Sequence, residues 1–370
     1  MNPIEIGVRA GGGLRDYPVR IGLGIRVDVV PQLREVAPRV TRWVVISDEN
    51  VAPLYGADVS RALERAGLGG DLLTVPAGEA HKNRSQWAAL TDAMLDLGFG
   101  RDGGVVAVGG GVVGDLAGFV ASTFMRGIPV VQMPTSLLAM IDASVGGKTG
   151  VDTDHGKNLV GAFHPPRLVL VDPETIATLP RSERSNGLAE ALKHGAILDA
   201  PYGERIVAAA DAVLDADPDA VLGVVHRSVE LKAEVVSRDE REGGIREILN
   251  FGHTIGHAIE QTSGYALSHG RSIARGMLWE AALGEAIGTT RAGTEDHLRR
   301  WLTAAELPSE RGPIDPAATV DLIRLDKKVR GGDPRVVLLS RVGEVDRDGD
   351  DWSRALGADE LRANLERLAG

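Results

Sequence analysis

Val105-Val-Ala-Val-Gly109-Gly-Gly-Val-Val-Gly114-Asp115-Leu-Ala-Gly-Phe-Val120 reads as a buried strand, a glycine turn and the opening of a helix. The β-branched run at 105–108 suits a strand, and Gly109 to Gly114 satisfies G-x-G-x-x-G directly after it. Glycines at such a turn let the backbone approach a pyrophosphate, which the positive end of the following helix attracts. Two features depart from a dinucleotide fingerprint. The motif does not follow the first strand, and no acidic residue stands about 20 residues later to hold a ribose.

Outward from this stretch, β-branched runs at 43–47, 72–75, 130–133 and 168–171 alternate with helical stretches such as 60–66 and 85–97. That alternation predicts an α/β domain with a mostly parallel sheet. After about residue 179 the strand signals nearly stop. Segments 183–198, 203–214, 219–238, 245–262, 271–289 and 294–304 carry apolar residues at helical spacing. We therefore expect an α/β nucleotide-binding domain over 1–178, an all-α domain over 179–370 and the site between them, with a short β pair at 335–339 and 344–346. Polar groups follow two of the early strands: Asp48-Glu-Asn50, and Glu79 to Lys82 within Pro76-Ala-Gly-Glu-Ala-His-Lys. Carboxylates there suit ribose hydroxyls and Lys82 a phosphate, because ligands of open α/β sheets collect at the carboxyl ends of strands.

Composition narrows the chemistry. A net charge of -11 argues against a nucleic-acid binder, so any anionic ligand must be met by a local cationic cluster. There is no cysteine, which excludes disulfides and thiolate chemistry and leaves His, Asp and Glu as metal ligands. The N-terminal residues lack the pattern of a signal peptide and no apolar run would span a bilayer, so a soluble, cytoplasmic protein is expected. Only seven lysines stand against thirty-four arginines: Lys82, Lys148, Lys157, Lys193, Lys232, Lys327 and Lys328. Lysine offers a compact point charge that arginine does not, and several such groups suit a phosphate or carboxylate substrate. Gly146-Gly-Lys-Thr149 is not a P-loop, because the leading glycine the motif requires is Asp142.

The strongest constellation is Arg246-Glu-Ile-Leu-Asn250-Phe-Gly-His253-Thr-Ile-Gly-His257. On one continuous helix, Arg246, Asn250, His253 and His257 would share a narrow polar stripe opposite isoleucines. H-E-x-x-H is not met, since Thr254 follows His253. Glu190 and His269 lie on other segments, and spacing alone does not choose a metal-ligand set among Glu190, His253, His257 and His269.

Taken together these motifs resemble the dehydroquinate synthases, within the sugar phosphate cyclases. The matching strings are Gly109 to Phe119, Met125-Arg-Gly127, Pro134-Thr-Ser-Leu-Leu, Asp142 to Gly150, Gly156-Lys-Asn-Leu-Val-Gly-Ala-Phe, Leu188-Ala-Glu190, Asn250 to Glu260, His269-Gly and Asp326-Lys-Lys. The resemblance implies that Glu190, His253 and His269 hold Zn²⁺ or Co²⁺, with His257 handling substrate phosphate and protons. It implies a substrate site of Asp142, Lys148, Asn158, Lys193, Lys232, Arg246, Asn250 and one of Lys327 and Lys328. Arg126 would reach that site from a partner subunit, making a homodimer. Asp48, Asn50, Glu79, Lys82, Gly110, Gly111, Asp115, Thr135, Ser136 and Thr178 would hold NAD. The implied activity is a lyase reaction in the shikimate pathway, turning 3-deoxy-arabino-heptulosonate 7-phosphate into 3-dehydroquinate and phosphate, with NAD regenerated each turnover.

Arg271 departs from the family pattern, where an acidic or small residue commonly follows His-Gly. It leaves room for a sibling cyclase such as aminodehydroquinate synthase. An NAD- and metal-dependent polyol dehydrogenase is a further alternative, though it has no need of so many cations. A non-catalytic NAD-binding module is the third.

Overall fold

The computed structural model describes residues 3–9, 16–264, 266–325 and 333–369. Its strands are β1 (Ile4–Val8), β2 (Tyr17–Ile21), β3 (Arg42–Asp48), β4 (Gly69–Val75), β5 (Gly103–Gly109), β6 (Val130–Pro134), β7 (Lys148–Thr153), β8 (Gly156–Phe163) and β9 (Leu168–Val171), followed by four short ones, β10 (Arg335–Val336), β11 (Leu339–Arg341), β12 (Glu344–Val345) and β13 (Arg354–Ala355). The helices are α1 (Val29–Val36), α2 (Ala57–Arg65), α3 (Arg84–Asp96), α4 (Gly111–Thr123), α5 (Arg181–Leu198), α6 (Ala200–Leu214), α7 (Pro218–Arg238), α8 (His253–Thr262), α9 (His269–Ala286), α10 (Thr294–Ala304), α11 (Pro316–Leu325) and α12 (Ala358–Ala369). They group into two compact units, Met1–Pro180 with Pro218–Ser237, and Arg181–Asp217 with Arg238–Gly370. Most of α7, read from sequence as part of the helical second half, thus groups with the first unit.

The first unit is built on a seven-stranded sheet of order β1-β2-β9-β6-β5-β3-β4, in which only β1 and β2 pair antiparallel. Side chains alternate across it, so both faces must be covered. Val44, Ile46, Val105, Ala107 and Val130 join α3 and α4 in one core cluster. Trp43, Val45, Val106, Val108, Val131, Met133, Leu168 and Leu170 join α1 and α2 in the other. Burial on both sides is why these strands read as continuous apolar runs instead of alternating ones.

The sequence reading missed the antiparallel hairpin of β7 and β8, which carries Lys148, Asp152, Lys157 and Asn158. Its glycines allow unusually close pairing, since a Cβ on Gly161 would lie 2.2 Å from the Thr149 carbonyl oxygen.

The second unit is helical apart from short ladders. Ile255, Ile259, Trp279, Leu283, Val320, Leu361 and Leu365 share its core. The expected continuous helix over 245–262 is interrupted. Residues 245–250 form a 3-10 helix, Phe251 turns extended (ψ 130°), Gly252 takes φ 78°, and α8 begins at His253. Glycine supplies both the left-handed backbone and the space, because a Cβ there would meet Met277 Cγ at 2.5 Å. The polar stripe is accordingly not one helical face. The expected β pair is also rearranged: β10 pairs with β13, and β11 with β12.

Candidate functional site

In the first unit α4 starts at Gly111, inside the glycine motif itself, with Gly110 in an extended conformation before it (φ -76°, ψ -169°). Gly110 has no side chain to cap the helix, so the first N–H groups of α4 form an anion-attracting end. A Cβ on Gly110 would sit 3.3 Å from Ser136 Oγ, and one on Gly111 3.3 Å from Ala143 Cβ. Gly114 serves packing, since a Cβ there would press to 2.8 Å on Gln132 Oε1 of β6. The Thr135 N–H donates to the Gly109 carbonyl at 2.9 Å, tying this turn to the end of β6.

At the end of β3, Asp48 accepts hydrogen bonds from the N–H groups of Asn50 (2.9 Å) and Val51 (3.1 Å), which folds the carboxylate back over its own turn. Thr178 shares a hydrogen bond with the Tyr55 hydroxyl at 2.9 Å. Tyr55 and Thr135 both line a cavity of about 280 Å³ whose walls include Val108, Met133 and Leu170. Two of the residues assigned to the cofactor therefore border this one cavity, directly or through a hydrogen bond.

Lys82 is the hub of the buried charges. It is 3% exposed, and its ammonium lies 2.7 Å from Glu79, 3.2 Å from Asp115 and 3.8 Å from Asp152. Burial opposes its charge, but the three carboxylates outweigh burial and hold its pKa above the usual lysine value. Burial pushes Asp115 up to about 6 against the pull of Lys82. Burial works the same way on Glu79, but there Lys82 prevails and holds the carboxyl below its ordinary value. Lys157 stands 3.8 Å from Glu79, and the Asn158 N–H donates to Asp152 at 2.8 Å with Asn158 at φ 53°.

Lys232, on α7, is buried and ion-paired with Asp142 at 2.7 Å, and it also donates to the Asp142 backbone carbonyl. This pairing ties α7 to the first unit. Lys148 lies exposed at the start of β7. Arg126 and its neighbour Met125 both take positive φ (70° and 50°), a conformation uncommon for residues with a Cβ.

In the second unit, α5, α8 and α9 bring Glu190, His253 and His269 together with ligand atoms within 4.8 Å of one another. The Nε2 atoms of His253 and His269 lie 3.4 and 3.3 Å from the same Glu190 oxygen. Each ring's other nitrogen faces an acceptor. His253 Nδ1 lies 3.2 Å from the Phe251 carbonyl, and His269 Nδ1 lies 3.6 Å from Glu260. With Nδ1 turned toward these acceptors, Nε2 is the atom each ring directs at Glu190, the orientation taken by metal-site histidines that outer carboxylates and carbonyls hold in place.

Glu190 is 0% exposed, with both oxygens lacking a hydrogen bond of normal geometry, while the buried Lys193 pairs with it one turn later. Burial disfavours its charge, but Lys193 and the two histidines hold it well below the usual carboxylate range. Burial likewise opposes protonation of His269, but Glu190 and Glu260 hold it up at about 9. Two imidazoles and an ionised carboxylate converging on one point fit a divalent cation.

The His257 ring is 5.2 Å from His253 and 6.0 Å from His269, so it joins the cluster, and His257, Glu260 and His269 form a second group with metal-ligand spacing. Arg246 is buried, bonded to the Glu240 carbonyl, with its N–H on Asp239 at 3.0 Å; Asn250 donates to Glu242 at 2.8 Å. Lys327 and Lys328 lie outside the described residues. Reading the sequence did not single out Asp152 or Glu260. The signal for Glu260 was available, as it follows His257 by three positions on α8 and so shares a helical face.

The solved 2-epi-5-epi-valiolone synthase of Streptomyces hygroscopicus subsp. jinggangensis 5008, with NAD⁺ and Zn²⁺ bound, matches this fold with a TM-score of 0.84. It is 28% identical, over 98% of this chain and 99% of that one. The fold is that of a sugar phosphate cyclase. Residues 72–186 match the 3-dehydroquinate synthase N-terminal family and residues 187–329 the 3-dehydroquinate synthase C-terminal family. The 3-dehydroquinate synthase of Symbiobacterium thermophilum is 44% identical over 358 residues, 96% of this chain and 99% of its own. That of Xanthomonas oryzae pv. oryzae is 45% identical over 343 residues, 90% of this chain and 92% of its own. The chain belongs to the 3-dehydroquinate synthase family.

Proposed function

We infer that the protein is a 3-dehydroquinate synthase, a carbon–oxygen lyase that converts 3-deoxy-arabino-heptulosonate 7-phosphate into 3-dehydroquinate and phosphate. The near full-length match to the Symbiobacterium enzyme carries this reading over that of a sibling cyclase or a polyol dehydrogenase.

Glu190, His253 and His269 hold the divalent metal, which supplies Lewis-acid polarisation of substrate oxygens when bound. NAD supplies a hydride acceptor that is restored within each turnover. Asp48 and Asn50 meet its ribose, the N–H groups behind Gly110 and Gly111 its pyrophosphate, and Glu79, Lys82, Asp115, Thr135, Ser136 and Thr178 complete its surroundings. Lys148, Lys193, Lys232, Arg246, Asn250 and Asn158 bind the substrate's anionic and hydroxyl groups, with Asp142 orienting Lys232. His257 takes or gives protons beside the phosphate, the role its place in the histidine cluster supports.

The test is phosphate release from heptulosonate phosphate, its amino analogue and sedoheptulose 7-phosphate, with NAD far below substrate. Many turnovers per NAD on the first substrate are expected. NADH accumulating in step with product, or preference for either other substrate, would overturn the reading.

The active form is a homodimer in which Arg126 serves the neighbouring subunit's site. The positive φ of Arg126 and the exposure of Leu159 and Phe163 on β8 support this. Mixing inactive Arg126→Ala and His253→Ala subunits should restore about a quarter of wild-type turnover per site; no restoration refutes the exchange. No helix among the described residues is long and apolar enough to cross a membrane, and we place the enzyme in the cytoplasm.

A further inference from the structure

Both proposed ligand histidines are the first residue of their helix, His253 of α8 and His269 of α9. The first turn of a helix leaves N–H groups without partners inside the helix, and normally the residue just before it supplies a cap. Here neither does. Gly252 has no side chain, and Ser268 makes no side-chain cap bond.

The partners come instead from other helices. Glu280, on α9 and 0% exposed, accepts the Gly252 N–H at 2.6 Å through one oxygen and the Ile255 N–H at 3.1 Å through the other. Asn186, on α5 and 6% exposed, accepts the Gly270 N–H at 2.6 Å. Its amide nitrogen donates to Glu183 at 3.1 Å, which fixes the oxygen toward Gly270. Asn186 also stands one helical turn before Glu190.

We propose that Asn186 and Glu280 are positioning residues of the metal centre, each capping from a neighbouring helix the turn that presents a ligand histidine. The proposal rests on the reading that Glu190, His253 and His269 hold the metal. The caps link the three ligand helices in series. The helix of Glu190 holds the start of the helix of His269, which in turn holds the start of the helix of His253. Glycines close the joints: a Cβ on Gly270 would lie 2.1 Å from the Asn186 carbonyl oxygen, and one on Gly276 1.9 Å from that of Gly252. Ligand distances must hold to about 0.2 Å, so a cap on the ligand's own turn acts directly on affinity.

The experiment uses the full-length protein loaded with Co²⁺, reading its visible absorption band and its dissociation constant by chelator competition. Asn186→Ala and Glu280→Gln should each weaken Co²⁺ about 10- to 100-fold, in line with loss of other outer-shell partners, and shift the band. Asn186→Asp combined with Glu183→Gln, which keeps the acceptor for Gly270 and turns the side-chain hydrogen bond round so that residue 183 donates, should stay within a few-fold of wild type. Folded variants with wild-type affinity and band, changed only in thermal midpoint, would show the caps to be purely structural and end the proposal. If Glu280→Gln does not fold, the contrast between Asn186→Ala and the Asn186→Asp, Glu183→Gln double variant decides. His253→Ala serves as the control: it should abolish stoichiometric Co²⁺ binding. Wild-type binding by that variant would instead remove the ligand assignment beneath the proposal.

Discussion

Replacing Lys82 with methionine keeps most of the side chain's shape and removes the charge that three carboxylates share. At an effective dielectric near 20, ion pairs at the observed 2.7, 3.2 and 3.8 Å are each worth about 4 to 6 kcal/mol before desolvation. Burying the ammonium takes back several kcal/mol, so the net worth of the hub is far smaller than its gross attraction. Stripping one partner from such a buried group typically costs about 3–5 kcal/mol, because the remaining charges stay in place uncompensated.

The sign with pH follows from Asp115. Its carboxyl stands near 6 even with Lys82 present, above its ordinary value of 3.8. A raised carboxyl favours folding fully below its unfolded pKa and loses that contribution as pH rises through the folded one. The window in the wild type is therefore about pH 4 to 6, worth about 3 kcal/mol at 1.36 kcal/mol per unit. Without Lys82 the folded pKa climbs further and the loss extends above pH 6. The deficit of Lys82→Met should thus be larger at pH 8 than at pH 5. Urea unfolding followed by tryptophan fluorescence measures it, with Trp87 packed against the same core as α4. A deficit below about 1 kcal/mol at pH 8, or one equal at both pH values, would refute the reasoning.

Lys193→Ala should lower phosphate release at least about 100-fold while the circular dichroism spectrum stays native, since a buried ammonium facing Glu190 has no solvent substitute. Gly252→Ala places a Cβ at φ 78° and 2.5 Å from Met277 Cγ; about 1–2 kcal/mol for the left-handed backbone is a lower bound on the destabilisation, read as a fall in thermal midpoint. Removing metal with a chelator should abolish turnover, and added Zn²⁺ or Co²⁺ should restore it; activity that survives verified metal removal would contradict the assignment of Glu190, His253 and His269.

The central sheet could be read from the chain because β-branched runs buried on both faces leave a strong local signal, and runs such as 105–108 and 168–171 fall within strands. The interruption at Gly252 was hidden. Apolar spacing continues across it, and only the folded chain, with Gly252 at φ 78° and Met277 against it, shows why glycine is needed. The hairpin of β7 and β8 carried glycine and lysine motifs and lacked the alternation that marks a half-buried strand. Glu190, His253 and His269 were each recognisable as ligand types, but their convergence depends on three helices meeting. Asn186 and Glu280 left no trace, being 84 and 28 residues from the N–H groups they cap.

That hairpin has a thermodynamic consequence. Lys148 stands at one end of it, and the other end is fastened to the charge hub by the Asp152 N–H on the Lys82 carbonyl at 2.7 Å and by Lys157 beside Glu79. A ligand gripping Lys148 and a ligand resting on the hub therefore load the same short piece of chain. By reciprocity, whatever factor the first adds to the affinity of the second, the second returns to the first. On the proposed assignment, with substrate on Lys148 and cofactor on the hub, a cofactor that must remain through many turnovers and a substrate that must leave after one would be coupled through sixteen residues, 148–163.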